Sequence, residues 1–403
     1  MFLRDSWLPL GIVLVVGGVL AALSPAVALG VFVLLAGGLA KAWAARSLEH
    51  VELERYLPES RAFAGEELRL TYRLTNKKLI PVPRIEMRDH LPVLLSPEEL
   101  HLPPSSSPDS TLYTHSTHLG WYERASWSLD LPCPERGYYR LGPARLRSGD
   151  GFGIFSDERE EQQMDGIVVY PRTVAMADLG LPAARPLGEI RGKERIFEDP
   201  MRFAGLRDYE PGDSLRRIDW KATARRGELQ SRVYEPSSTH HIIVALNVDT
   251  MEHPWQGYIP ELLESSIVVA ASIARWAYEN RQAVGVLANG SLPDSDRPIA
   301  ISPGRAPDQL PRLLEALGGI APMTTEPLAA LLERESHRLP LGSTLAVVSA
   351  LMLEPLAAVL RRLKEEGQQV SVLSMVDEDW GELLGDVPVQ RIRYDASKTE
   401  MVT

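Results

Sequence analysis

Between residues 6 and 40 the chain carries no charged side chain, and its apolar run is interrupted once, at Ser24-Pro25. A single perpendicular membrane helix needs about 20 residues. The run is therefore too long for one, and it predicts two short membrane helices joined by a tight turn. It also far exceeds the roughly 7–15 apolar residues of a signal peptide. Gly17-Gly18, Gly30 and Gly37-Gly38 give small surfaces where the two helices can approach. Trp7 and Trp43 stand where interfacial anchors belong. Past the helices the period changes to two. Within residues 66–75, Leu68, Leu70, Tyr72 and Leu74 alternate with Arg69, Thr71 and Arg73, the pattern of a half-buried antiparallel strand. Trp127, Leu129 and Leu131 alternate in the same way, and turn-forming clusters separate the runs. A β-sandwich of immunoglobulin-like size is expected here.

From residue 240 the pattern changes again. Residues 242–248 form a continuous apolar strand, and 283–288, 345–349 and 369–375 read as further strands. Residues 260–280, 308–317, 327–339 and 354–366 carry helical periodicity. Strands alternating with helices predict a parallel sheet covered on both faces. The expected architecture is multidomain. A transmembrane helical hairpin (1–47) leads into the β-sandwich (48–170). A connector with a distinctive segment (171–239), a doubly wound α/β domain (240–393) and a tail (394–403) complete the chain.

Charge orients this plan. Arg4 precedes the first helix, Lys41 and Arg46 follow the second, and the turn between them has no cation. The positive-inside rule then places both ends and the whole body in the cytoplasm, at the cell membrane. The net charge of −11 over 403 residues argues against general nucleic-acid binding, which needs a basic surface. The single cysteine, Cys133, excludes an internal disulfide and a cysteine-based zinc site.

The densest specific chemistry lies in residues 207–225, with Arg207, Tyr209, Pro211, Gly212, Asp213, Arg216, Ile218, Asp219, Trp220, Lys221 and Arg225. Pro-Gly-Asp is turn chemistry. Beyond it, Arg216, Ile218 and Trp220 fall at period two. Residues 202–235 carry a basic excess of two within an acidic chain. Arginine forks, carboxylates and one Trp suit either a salt-bridged hairpin bracing two domains or a docking surface for a protein. Asp213 and Asp219 have arginine neighbours, which favours ionised, structural carboxylates over a catalytic acid. Gly-x-Ser-x-Gly, His-Glu-x-x-His and Gly-x-x-x-x-Gly-Lys are all missing from the sequence, so no catalytic set is expected.

The segment resembles the signature of the bacterial family called domain of unknown function 58: Tyr-x-Pro-Gly-Asp at 209–213, Arg-x-Ile-Asp-Trp-Lys at 216–221 and Ala-Arg at 224–225. The resemblance implies a von Willebrand factor A-like domain over 240–393. It also implies a MoxR-type AAA+ ATPase as protein partner, since such proteins are commonly encoded together. A domains often hold Mg²⁺ at the carboxyl ends of their strands, through Asp-x-Ser-x-Ser, a Thr and a later Asp. Here Asp249 can serve as the first ligand and Thr324 or Thr325 as the loop ligand. Met251 and His253 replace the serines, and no Asp follows Ser349. Too few hard ligands remain to replace Mg²⁺ hydration. Asp249 is therefore expected to cap a helix or pair with a signature arginine. The functional expectation is a membrane-anchored cytoplasmic scaffold or adaptor with no cofactor. A divalent-metal-dependent ligand-binding A domain is the alternative, and an envelope-associated hydrolase a more distant one.

Overall fold

The computed structural model describes residues 2–151, 153–182, 186–187, 198–210, 218–236, 240–293, 295–340 and 342–394, without the side chains of residues 2–5, 198–204, 233–236 and 254. The chain divides into two compact units, Met1–Pro171 and Arg172–Thr403.

The first unit opens with α1 (Phe2–Leu20) and α2 (Ser24–Ser47). Between them Ala22 takes a left-handed φ of 55°, and the Leu23 N–H bonds the Gly18 carbonyl at 2.8 Å. Pro25 sits in the first turn of α2, where its missing N–H costs nothing. The two helices lie against one another through small residues. A Cβ on Gly30 would come within 2.8 Å of the Val15 backbone nitrogen, so only hydrogen fits. Gly11, Gly18 and Gly37 make similar approaches, whereas Gly17 and Gly38 face open space and contribute nothing to the seam. At 24 residues, about 36 Å, α2 is long and apolar enough to cross a membrane. The apolar part of α1, Ser6–Leu20, is shorter. Two spans were expected; one helix has the full length for it.

The exit of α2 is clamped to the rest of this unit. Lys78 Nζ donates to the carbonyls of Ser47 (2.6 Å) and Glu49 (2.5 Å). Arg159 donates to those of Leu48 (3.0 Å) and Val51 (2.5 Å). A helix end leaves carbonyls such as those of Ser47 and Leu48 without intrahelical partners, and cations suit its negative pole. Lys78 is buried there, and burial pulls its ammonium below the ordinary lysine value.

The strands then run β1 (Val51–Tyr56), β2 (Arg61–Phe63), β3 (Glu66–Asn76), β4 (Val82–Pro92), β5 (Ser110–Leu119), β6 (Arg124–Cys133), β7 (Gly137–Leu141), β8 (Ala144–Gly149), β9 (Ser156–Glu161) and β10 (Asp165–Tyr170). Their sheets have the orders β1-β3-β6, β5-β4-β8-β9 and β2-β10-β7. One core joins all three, built from Leu68, Leu70, Tyr72 and Leu74 of β3 together with Ile85, Met87 and Leu91 of β4, Leu146 of β8 and Ile167 of β10. The alternation expected in β3 and β6 is the one observed.

A charged group lies inside this core. Arg55 Nη1 reaches both Asp89 carboxylate oxygens at 3.2 Å, and its Nε lies 3.0 Å from Asp165. Tyr72 Oη donates to Asp89 at 2.8 Å and the His90 N–H does so at 2.9 Å. Burial raises the Asp89 carboxyl above its usual range, with Arg55, Tyr72 and His90 acting against that rise.

Beside it Tyr113, His115 and Trp127 stack, with the His115 and Trp127 rings 4.0 Å apart. Burial lowers the His115 pKa. Folding thus favours the neutral ring, and the stability it brings is present above the unfolded value of about 6.5 and lost as pH falls below it. We expect thermal stability to decline between about pH 7 and pH 5, and to decline less in His115→Phe, which keeps a ring but cannot titrate. Thermal melts of both proteins across that range check this.

The second unit begins its regular structure with β11 (Glu198–Asp208), α3 (Trp220–Arg226) and β12 (Gln230–Pro236); β11 and β12 pair antiparallel. Beyond them lies a layered part: β13 (His241–Leu246), α4 (Pro260–Glu279), β14 (Ala283–Ser291), β15 (Pro298–Gly304), α5 (Gln309–Gly318), α6 (Leu328–Glu335), β16 (Thr344–Ser349), α7 (Glu354–Glu365), β17 (Gln369–Ser374), α8 (Gly381–Leu384) and β18 (Val389–Arg391). The sheet order is β15-β14-β13-β16-β17-β18, parallel apart from β15 against β14. An all-parallel sheet was expected. The β14–β15 connection has no helix to carry the chain back across, so it can only make a hairpin and an antiparallel edge. Strands β13 and β16 are buried almost end to end, as their continuous apolar runs require.

Candidate functional site

Two groups of residues stand out in the second unit. The first lies where β13 and β14 end side by side. Asn289 of β14 is wholly buried; its Oδ1 accepts from the Val248 N–H (2.7 Å), and its Nδ2 donates to Asn247 Oδ1 (3.1 Å) and Asp249 Oδ2 (2.9 Å). Asn247 Nδ2 continues the chain to Ser349 Oγ at the end of β16, 3.0 Å away. Thr324 pairs with Gly290 in an isolated bridge and gives its hydroxyl hydrogen to Asp249 Oδ1. The Thr325 hydroxyl turns instead to the Asn289 carbonyl, at 3.0 Å.

Asp249 and Thr324 are thus brought into contact, as a metal site of the implied type would need. The rest of the donor set does not fit a divalent cation. Both Asp249 oxygens are already engaged by neutral donors, Thr325 is committed to a carbonyl, and no group of three His, Cys, Asp or Glu side chains forms among the described residues. Hard cations such as Mg²⁺ are held by several oxygen ligands, carboxylates foremost. Asp249 does not cap a helix, α4 being capped at Ile259, and Arg216 and Arg217 of the signature segment lie outside the described residues. Among the described residues Asp249 is held by an amide and a hydroxyl, because adjacent parallel strands deliver Asn289 beside it.

The second group is the signature segment. Pro211, Gly212, Asp213 and Arg216 lie outside the described residues. The rest do not continue at period two. Asp219 is the N-cap of α3: its Oδ1 accepts from the backbone N–H groups of Lys221 (3.1 Å) and Ala222 (3.0 Å), while Arg232 Nε holds its Oδ2 at 2.9 Å. The Ala222 N–H, followed by Arg232, keeps the Asp219 carboxyl below the usual carboxylate range. Gly227 ends the helix at a φ of 78°, a left-handed turn that favours glycine.

The base of α3 is fixed beneath. Ile218 is buried and bridges Ser231, and the Asp219 N–H bonds the Gln230 carbonyl at 2.9 Å. Buried Gln230 donates to Asp208 Oδ1 at 2.6 Å and accepts from Arg226 at 3.1 Å. Arg207 lies 3.6 Å from Glu210, and the Tyr209 N–H bonds the Leu229 carbonyl at 2.9 Å. On top of this frame Trp220 is 67% exposed, and Lys221 and Arg225 are exposed one helical turn apart. The segment presents one large indole and two cations on a short helix whose foundation is bonded from three sides.

Residues 205–402, which contain both groups, match the family described as "Protein of unknown function DUF58". That segment is a DUF58 region. Within the DUF58 region α3 and the Asn289 cluster come from segments far apart in sequence. A curated relative, the uncharacterized protein YeaD of Bacillus subtilis (strain 168), is 24% identical over 261 residues, covering 64% of this chain. The chain spans 60% of that relative's length. Among solved structures, similarity is found to the CARDB domain of a Pyrococcus furiosus protein in complex with di-metal ions. It is 15% identical, covers 30% of this chain and 89% of that one, and has a TM-score of 0.20. A β-glucosidase from Listeria innocua in complex with isofagomine is 16% identical over 30% of this chain and 16% of that one, with a TM-score of 0.17. Scores this low establish no shared fold.

Proposed function

We propose that this DUF58 protein is a membrane-anchored scaffold whose α3 surface docks a protein partner, an AAA+ ATPase of the MoxR type. In this reading α1 and α2 both enter the cell membrane and the body lies in the cytoplasm, on the side of Lys41 and Arg46. The six-stranded sheet, with its antiparallel edge strand β15, is read as a von Willebrand A-like domain.

One observation carries the docking role: Trp220 stands exposed with Lys221 and Arg225 on a helix whose base is locked by Asp219, Arg232 and Gln230. Trp and Arg are the residues most often found as interface anchors, and a preformed base reduces the ordering that binding must impose. The ATPase identity rests on the family resemblance.

The full chain in detergent, captured on a matrix and offered the cognate ATPase, tests both parts. Trp220→Ala combined with Arg225→Ala is expected to weaken capture about tenfold or more, as loss of about 1.4 kcal/mol or more would. Both side chains are exposed, so the variant should keep its fold by circular dichroism. Unchanged capture by the folded variant would sink the docking role, and no capture by the parent chain would remove this partner.

A further inference from the structure

The sandwich carries an exposed apolar tip at the end where α2 arrives. Three loops meet at that end. Pairing of Val51 with Asn76 sets the start of β1 beside the end of β3, and Arg124 at the start of β6 pairs with Thr75. Val82 at the start of β4 pairs with Leu119 at the end of β5, and Gly149 pairs with Ser156. Loops 77–81 and 120–123, with residues 150, 151 and 153–155 of the third, therefore share one end of the sandwich.

Two of these loops touch the helices. Lys78 in the first holds the carbonyls of Ser47 and Glu49. Phe155 in the third lies with Ala40, Ala44 and Trp7, its ring edge-on to the Trp7 indole at 6.1 Å. The second is tied to the first. Asn76 Nδ2 donates to the carbonyls of both Ile80 (3.0 Å) and Gly120 (2.7 Å), and the Tyr122 N–H bonds the Lys78 carbonyl at 3.2 Å.

At the tip of this tied pair Leu79 is 67% exposed, Trp121 71% and Tyr122 65%. Single exposed apolar residues are ordinary, but here three large ones share one tip. Tyr122 holds a φ of 54°, an uncommon conformation for an aromatic residue that persists only where the surroundings impose it. The Glu123 carboxylate is turned back onto the Gly120 N–H. Ser47 lies about 10 Å along the helix axis from Ala40, the last residue of the uncharged run. The interfacial layer reaches about 5–8 Å beyond the hydrocarbon core, so an upright α2 would end just past its outer edge and a tilted one within it. Trp and Tyr concentrate at this depth in membrane proteins.

We propose that Leu79, Trp121 and Tyr122 seat in the interfacial layer of the same membrane that holds α1 and α2, giving the sandwich a second foothold beside the helices. This rests on the membrane reading above. The partner surface is lipid, because the tip adjoins the emerging helix and is apolar and aromatic.

The test uses the full chain in phosphatidylethanolamine–phosphatidylglycerol vesicles, with an environment-sensitive fluorophore at one introduced cysteine and nitroxide-labelled lipids as quencher. Buried Cys133, its thiol pushed up to about 11 mainly by burial, stays unlabelled in the folded protein. Labels at Tyr122→Cys and at Leu79→Cys are expected to lose about half their emission to headgroup-proximal nitroxide, and a label at Ser107→Cys, in the loop at the far end of the sandwich, almost none. A label at Phe32→Cys within α2 reports insertion. If Phe32 is quenched while 79 and 122 behave like 107, the foothold is refuted and the membrane reading stands. If Phe32 is not quenched either, both fall.

Discussion

Arg55→Ala is expected to cost the sandwich about 3–5 kcal/mol, the range seen when one partner of a buried ion pair is removed. The side chains of Arg55 and Asp89 are 2% and 0% exposed, so bulk water does not screen the pair. Removing Arg55 leaves the Asp89 carboxylate with Tyr72 and the His90 N–H, and takes a cation from Asp165 and a donor from the Gln163 carbonyl. The sign of the pH effect comes from the carboxyl. Its folded-state pKa is already raised by burial, and loss of Arg55 raises it further. A raised carboxyl pKa means the folded state binds the proton more readily than the unfolded one, so the deficit narrows as pH falls through the folded value. Denaturant unfolding of parent and variant at neutral and mildly acidic pH measures both. A variant within 1 kcal/mol of the parent at neutral pH, or a deficit that widens on acidification, would contradict the assignment.

Asn289→Leu is the second large effect. The replacement has similar bulk, but it abandons the Val248 N–H, Asn247 Oδ1 and Asp249 Oδ2 together. Each buried polar partner left alone costs about 1–3 kcal/mol, so a loss of about 3 kcal/mol or more is expected. For a unit of this size that lowers the melting temperature by about 6–12 °C. Asn289→Asp separates geometry from charge. It keeps an acceptor for Val248 but sets a second carboxylate against Asp249, so its deficit should shrink at acidic pH, unlike that of the leucine variant. Scanning calorimetry on the three proteins reads these outcomes; an Asn289→Leu transition within 2 °C of the parent would contradict the role.

Much of this architecture was legible in the chain. The alternation of Leu68, Leu70, Tyr72 and Leu74 marks β3 because one face of an antiparallel strand meets the core. The unbroken run in β13 marks a strand buried on both faces. Arg55 and Asp89 were missed, although each stands in phase with apolar neighbours, Asp89 with Ile85, Met87 and Leu91. A charge at an inward position is the available signal. Its partner, 34 residues away, becomes adjacent only when two sheets close on one another. Asn289 gave a similar signal, a polar amide in an otherwise apolar strand, but its meeting with Asp249 depends on strand order.

From Trp220 the signature segment has the period of a helix, not of a strand. Asp219, the helix-forming Lys-Ala-Thr-Ala-Arg-Arg and then Gly227 spell a capped short helix. The period-two spacing of Ile218 and Trp220 concealed it. The chemistry of the α3 surface cannot be deduced from spacing at all, since exposure of Trp220 depends on what Gln230 and Arg232 do beneath it.

The clamp of Lys78 and Arg159 on the end of α2 has a mechanical consequence. Here the last turn of the helix and the first strand of the sandwich are bonded as one stiff piece. A helix longer than the local bilayer is thick tilts to fit. On the membrane reading proposed above, a tilt of α2 is passed directly to the sandwich and shifts its Leu79, Trp121 and Tyr122 tip relative to the interface. On that reading, bilayer thickness then bears on the angle at which the sandwich is held.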